Sequence, residues 1–217
     1  MRKAFLHYPK GIAVSCQDFM KITQFQLDAL REIGNIGSGH AATALSTLLQ
    51  RRIDMSVPEV WAIPFEQVSA IVGQLDMPQA VIYVKVEGEA SGKAVFFFPV
   101  ESAEIVVQAL FGSNEPMDIY TDEMAQSALK EVGNILVSSF LIALTQFSGI
   151  PLQPSVPALA VDMIGASLDS IFLEEGMLDD TVLFIDTQLT GIPKIEGQFI
   201  FLPDEGSMEK LLGAMGL

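Results

Sequence analysis

Two long stretches of the chain place apolar residues at helical spacing, one from about Thr23 to Leu49 and one from Asp122 to about Gln146. Runs rich in β-branched and aromatic residues predict strands over 57–61, 80–86, 92–98, 181–188 and 195–201. Shorter helical patterns follow over 101–110 and 160–172. The pattern predicts a mixed α/β (α+β) protein in which long helices pack on a sheet.

The order of these elements reflects an internal repeat. The segment Asp28–Ile36 returns as Ser127–Ile135, 99 residues later. Farther along, Val95–Pro99 returns as Phe199–Pro203, displaced by 104 residues. Self-similarity of this kind indicates two copies of one structural unit.

The repeat also predicts the domain organisation. We expect a single domain over 23–217, with repeat one at 23–120 and repeat two at 121–217. Because each repeat is too small to bury a good core alone, the two should share one continuous β-sheet with approximate two-fold symmetry. Residues 1–22 form an N-terminal extension, either flexible or docked on the domain as a strand.

Composition narrows the possible partners. The chain has 217 residues, of which 50% are hydrophobic, and a formal net charge of −15. A surface of that charge repels a polyanion, so nucleic acid is excluded as a partner. The single cysteine, Cys16, cannot close a disulfide within the chain, which fits a reducing compartment and a cytoplasmic location.

No charged residue occurs from Val132 to Val161, a stretch that is long enough to span a bilayer. Polar side chains interrupt that stretch, and Pro151, Pro154 and Pro157 break its second half. We therefore predict a buried helix followed by an extended segment, and no insertion into a membrane.

The usual catalytic residues are scarce. His7 and His40 are the only histidines, and no zinc-binding or Cys-His spacing occurs, so no resident metal is predicted. The glycine-rich segment Gly34–His40 is not followed by the lysine of a phosphate-binding loop. Its small residues are better explained as a face for close packing.

One polar pattern occurs in both repeats. At 100° per residue, Asp28, Glu32 and Asn35 fall within an arc of about 60° on the side of their helix opposite its apolar residues. Ser127, Glu131 and Asn134 repeat the same spacing. We call these sets the first and the second motif face.

A proline extends the pattern in each repeat. Pro58 follows Asn35, and Pro157 follows Asn134, in both cases after 23 residues. A merely solvated helix face does not need to keep such spacing twice. A functional interpretation is therefore favoured over surface polarity alone.

The complete pattern resembles the signature of the CheC/CheX/FliY phosphatases of bacterial and archaeal chemotaxis. The resemblance covers residues 23–217 and implies a CheC-like fold. Two motif faces in a chain of this length are typical of CheC-type proteins. FliY-type chains add a C-terminal flagellar-switch domain that this sequence lacks.

The resemblance implies hydrolysis of the aspartyl phosphate of the response regulator CheY. Glu32 and Glu131 would then anchor the regulator by pairing with its active-site lysine. Asn35 and Asn134 would enter the regulator's site and orient the attacking water. No cofactor is implied for this chain, because Mg²⁺ belongs to the regulator.

The other motif residues have supporting roles in this interpretation. Asp28 and Ser127 would make supporting contacts, while Pro58 and Pro157 would set the turn into a strand. Either residue type at the first motif position fits the pattern, so the sequence does not rank the two sites.

A second implied partner is CheD, the receptor glutamine deamidase. Asp162, Met163 and Ile164 lie in a region that resembles the CheD-docking helix of the family, although Met163 and Ile164 could equally be core residues. Two other functions stay open: an adaptor that binds CheD and phosphorylated CheY without efficient turnover, and a flagellar-switch-associated FliY-like phosphatase.

Overall fold

A computed structural model describes residues 22–57, 59–64, 68, 77–113, 115, 117–173, 181–190 and 195–217. Pro58 and the N-terminal extension up to residue 21 lie outside these ranges. The helices described are α1 (Gln24–Leu48), α2 (Val100–Phe111), α3 (Glu123–Ser148), α4 (Ile164–Leu173) and α5 (Ser207–Ala214). The strands described are β1 (Asp54–Ser56), β2 (Val60–Pro64), β3 (Pro78–Gly88), β4 (Gly92–Pro99), β5 (Leu152–Pro154), β6 (Ala158–Met163), β7 (Thr181–Thr190) and β8 (Ile195–Pro203).

Side-chain caps fix the beginnings of the two long helices. Thr23 and Gln26 form a capping box at α1, in which each side chain accepts a hydrogen bond from the other residue's backbone N–H. At α3, Asp122 accepts from the backbone N–H groups of Met124 (2.8 Å) and Ala125 (3.2 Å). The predicted starts of both helices are confirmed.

The strands form one antiparallel sheet in the order β1-β7-β8-β4-β3-β5, with β2 also on β7 and β6 also on β3. The outer strands are exchanged between the halves of the chain. β1 and β2 from the first half pair with β7, and β5 and β6 from the second half pair with β3. The expected continuous sheet is confirmed, and each half completes the sheet of the other.

Aromatic side chains fill the interior on both faces of the sheet. Phe96, Phe98 and Phe201 lie in the core between the sheet and the long helices, where Phe140 of α3 packs edge-on against Phe199 at a ring-centroid distance of 4.9 Å. The opposite face carries a smaller apolar cluster, to which α4 contributes. The sheet is therefore buried on both sides, with α1 and α3 together on one of them.

The glycine-rich segment lies inside α1, which is consistent with its interpretation as a packing face. A Cβ on Gly37 would lie 3.0 Å from the Cα of Phe140 and 3.2 Å from the carbonyl oxygen of Ser139, both in α3. In the other repeat, a Cβ on Gly133 would lie 2.5 Å from a methyl carbon of Ile82 in β3. These glycines let α1, α3 and the sheet approach closely.

Two element predictions are wrong in detail. The strand expected over 57–61 is replaced by the short strands β1 and β2 on either side of Val57. The helix expected over 160–172 begins only at Ile164, because Ala160–Met163 belong to β6 and pair with β3. Backbone pairing with a neighbouring strand outweighs the local helical pattern there.

Helix α3 is long and apolar enough to cross a bilayer by length and composition. More than half of its most apolar window is buried inside the protein, which is also the pattern of the core helix of a folded domain. It ends at Ser148 and is followed by the extended strand β5, as predicted for this stretch.

Candidate functional site

The first motif face lies on α1. Asp28 and Glu32 are exposed, and Asn35 is half-buried. Asp28 forms an ion pair with Arg31 at 3.2 Å and accepts a hydrogen bond from the side chain of Gln24 at 3.3 Å. Glu32 has no hydrogen bond or ion pair to any residue that the structure describes, so its carboxylate faces solvent and can meet a cation on a partner.

The side-chain amide of Asn35 is held by its own chain. Its Oδ1 accepts a hydrogen bond from the backbone N–H of Val57 at 3.0 Å, and its Nδ2 donates to the carbonyl oxygen of Arg31 at 3.1 Å. Val57 is itself buried between β1 and β2. Both ends of this amide therefore lie against the protein, and freeing it means breaking two good hydrogen bonds.

The second motif face, on α3, is held less tightly. Ser127 and Glu131 are exposed, and Asn134 is half-buried. The Oδ1 of Asn134 lies 3.4 Å from the hydroxyl of Ser138, which is long for an O–H···O bond. Within the described ranges, Asn134 makes no other side-chain hydrogen bond. Its amide can rotate toward a partner at little cost.

The loop after each long helix accounts for this difference. Val156 occupies the position of Val57 in repeat two but is 90% exposed. Ser155 ties that loop to β3, since its N–H donates to the carbonyl of Lys85 (2.8 Å) and its hydroxyl accepts from the N–H of Lys85 (3.0 Å). The loop is thus held on the sheet edge and gives Asn134 no backbone N–H.

The structure describes only one of the two motif prolines. Pro157 lies immediately before β6, which is where a residue that sets the turn into a strand belongs. Pro58 lies outside the described residues, although its neighbours on both sides are described.

Val57 was not predicted from the sequence as the hydrogen-bond partner of Asn35. The fixed spacing between each motif asparagine and its proline could have indicated it, because Val57 immediately precedes the proline of the first repeat.

The residues predicted to dock CheD lie where β6 passes into α4. Asp162 is exposed and its side chain accepts a hydrogen bond from the N–H of Met163 at 2.7 Å, while Met163 is 47% exposed. Ile164 is fully buried in the smaller apolar cluster. Ile164 is therefore corrected from a candidate contact residue to a core residue, because its side chain is unavailable to a partner.

Comparison with known proteins places the chain in a family. The model of the CheC-like family matches it twice, over residues 25–61 and 124–161, which include both motif faces. Over 203 residues, the chain is 36% identical to a Bacillus subtilis protein named CheY-P phosphatase CheC, covering 91% of this chain and 97% of that one. The chain belongs to the CheC-like family.

This CheC-like chain is also similar to a protein named for the flagellar motor. It is 31% identical over 119 residues to the flagellar motor switch phosphatase FliY of B. subtilis, covering 54% of this chain and 31% of that protein. The crystal structure of Thermotoga maritima FliY superposes with a TM-score of 0.72 at 22% identity, covering 91% of this chain and 98% of that one. The structural likeness shows the shared fold.

Proposed function

We propose that this protein hydrolyses the aspartyl phosphate of a CheY-type response regulator. The observation that carries the proposal is an exposed glutamate followed one helical turn later by an asparagine, on two helices of a CheC-like chain. A relative that shares 36% identity over most of the chain is named for that activity.

The chemistry requires little from the phosphatase itself. An aspartyl phosphate is an activated acyl phosphate, and the regulator supplies its own Mg²⁺. A carboxamide can accept a hydrogen bond from water and donate one to a phosphoryl oxygen, which orients the water for in-line attack. Such positioning can lower a barrier by several kcal/mol. Asn35 and Asn134 have this role in the proposal.

The glutamates supply the anchor. Glu32 and Glu131 are exposed on the same helix faces as the two asparagines, so a lysine of the regulator can pair with either. Asp28 supports the first face indirectly, because its ion pair holds the side chain of Arg31, the residue before Glu32. On the second face, Ser127 occupies the position that corresponds to Asp28. Neither face needs a cofactor of its own.

The two sites should differ in activity. Asn35 must give up two hydrogen bonds before its amide can turn toward water, whereas Asn134 gives up one long contact. A net cost of about 0.5–1.5 kcal/mol for each hydrogen bond slows the first site by about tenfold. We therefore infer that the second motif face carries most of the turnover.

The test is hydrolysis of phosphorylated CheY by Asn35→Ala, Asn134→Ala and the double variant. We expect Asn134→Ala to lose most of the activity, Asn35→Ala to lose a minor part, and the double variant to lose all acceleration while still binding CheY. Gln146→Ala removes an exposed amide from α3 outside the motif and is the matched control. Unchanged hydrolysis in the double variant would refute the proposed role of the amides.

The same assay separates a phosphatase from an adaptor. An adaptor would bind phosphorylated CheY tightly yet accelerate its hydrolysis little even in the unaltered protein. The bonded amide of Asn35 is the feature that favours this second function, and it concerns one face only. Efficient hydrolysis through Asn134 would leave the adaptor function unsupported.

We also propose that CheD docks where β6 meets α4. Asp162 and Met163 support this proposal because both are exposed there. Met163→Asp should weaken CheD binding while leaving CheY-phosphate hydrolysis without CheD unchanged. Phe111, 42% exposed at the end of α2 on the other face of the sheet, provides a control outside this region, as Phe111→Asp. Equal CheD affinity of the two variants would contradict this docking site.

A further inference from the structure

Both long helices begin with a large apolar side chain in solvent. Phe25 is 69% exposed and Met124 is 62% exposed. The two residues are 99 positions apart and occupy the same place in their repeats, the second residue of α1 and of α3. The structure thus repeats an exposed apolar residue at a position that the core does not use.

These residues lie on the motif faces. Each precedes the first motif residue by three positions, the glutamate by seven and the asparagine by ten. At 100° per residue all four positions fall within an arc of about 80°. With a rise of 1.5 Å per residue, each motif face extended by its apolar residue is about 15 Å long.

We propose that Phe25 and Met124 are apolar anchors that seat the response regulator next to its phosphorylated aspartate. The inference rests on the proposed function and adds the source of affinity. An aspartyl phosphate is anionic and this chain has a net charge of −15, so long-range electrostatics do not draw the two together. Burial of a large apolar side chain at the edge of the contact can supply the missing affinity.

The presence of an exposed apolar residue in both repeats indicates which molecule covers it. A segment of this chain that precedes α1 would, by covering Phe25, explain the apolar residue in the first repeat only. It does not explain Met124, because residues 117–122 before α3 are described and leave Met124 exposed. Phe25 and Met124 each lie on the same helix face as a motif glutamate and a motif asparagine. The response regulator that binds these motif faces is therefore the molecule that covers both apolar residues.

The experiment measures each face separately. Met124→Ser is made in the Asn35→Ala background, so that hydrolysis reports on the second face, and Phe25→Ser is made in the Asn134→Ala background. We expect KM for phosphorylated CheY to rise about tenfold at the altered face while kcat changes less than twofold. Beryllofluoride-loaded CheY should bind the Phe25→Ser, Met124→Ser double variant more weakly by the same factor, because both faces are then altered.

Matched controls are available at the other end of the same helices. Leu48 and Phe147 are also 99 residues apart and are 40% and 49% exposed, but they lie about 160° around the helix from the glutamates. Leu48→Ser and Phe147→Ser should leave KM unchanged. An unaltered KM in the Phe25 and Met124 variants, or an equal rise in the controls, would overturn the anchors.

The remaining outcomes are also decisive. A change from dimer to monomer in the Phe25 and Met124 variants, with KM unaltered, would show that a second copy of the chain covers these residues and would overturn the inference. If the unaltered protein does not accelerate hydrolysis of phosphorylated CheY, the proposed function itself is refuted, and the anchors with it. If it does accelerate hydrolysis and the variants keep their KM, only the anchors fail.

Discussion

Gly37 sets how closely the two motif-bearing helices approach. A methyl group there would meet the backbone of α3 at 3.0 Å, and a backbone cannot move aside as a flexible side chain can. Gly37→Ala should therefore reduce the free energy of unfolding by about 1–3 kcal/mol, the usual effect of overpacking. Urea denaturation followed by far-UV circular dichroism measures the change.

Gly39 provides the matched control for this prediction. It lies two residues farther along α1, and a Cβ added to it would meet nothing within 4 Å. Gly39→Ala should stabilise the protein by about 0.5–1 kcal/mol, because alanine is the better helix former. Equal effects at Gly37 and Gly39 would mean that helix propensity, and not the contact with α3, determines the response.

The motif residues could be predicted from sequence, but the state of their amides could not. Spacing alone placed Glu32 and Glu131 in solvent, since helical geometry is local. The bond between Asn35 and Val57 joins residues 22 positions apart, and its absence at Asn134 depends on where a loop is held on the sheet. Such contacts are fixed by tertiary structure.

At the scale of the element, the turn before α3 is organised by one carboxylate. Asp118 accepts hydrogen bonds from the hydroxyl of Thr121 at 2.6 Å and from the N–H of Tyr120 at 2.8 Å. The bond from Thr121, followed by the one from Tyr120, lowers the pKa of Asp118 below its ordinary value of 3.8. This turn leads directly into the cap that begins α3, the helix of the second motif face.

The turn predicts a pH dependence of stability. Because the pKa of Asp118 is lower in the folded protein, ionisation favours folding above pH 3.8, and that contribution is lost as the pH falls through the folded-state pKa. Asp118→Asn should therefore lower the urea midpoint at pH 7, and the difference from the unaltered protein should shrink below about pH 4.

A carboxylate without such bonds is the control for the turn. Glu205 is exposed and its side chain bonds to no residue that the structure describes. Glu205→Gln should change the midpoint little at either pH. A difference between Asp118→Asn and the unaltered protein that stays constant down to pH 3 would contradict the charged hydrogen bonds as its source.

Long elements were predicted well and short ones were not. Both long helices and strands β3, β4, β7 and β8 begin within two residues of their expected starts, because each shows a sustained pattern or a clear cap. Strands β1 and β5 have three residues each, too few to show a period. Strand β6 has helix-like composition and is extended because β3 pairs with it.

At the scale of the whole molecule, the exchange of outer strands ties the halves together. Strands β1 and β2 reach β7 only across the boundary between the repeats, and β5 and β6 reach β3 in the same way. Neither half can complete its sheet alone. Both motif faces should therefore be lost together on unfolding, as the prediction of a single domain over 23–217 requires.

The single tryptophan reports on this exchange. Trp61 in β2 pairs with Phe184 in β7, with ring centroids 5.7 Å apart, so its fluorescence monitors a contact between the halves. Urea transitions followed by tryptophan fluorescence and by far-UV circular dichroism should coincide, as expected for one cooperative unit.

Ile200→Val, a buried change in β8, should move both midpoints equally and lower the free energy of unfolding by about 1 kcal/mol. A fluorescence midpoint that differs from the far-UV midpoint, in the unaltered protein or in Ile200→Val, would mean that the repeats do not unfold as one unit.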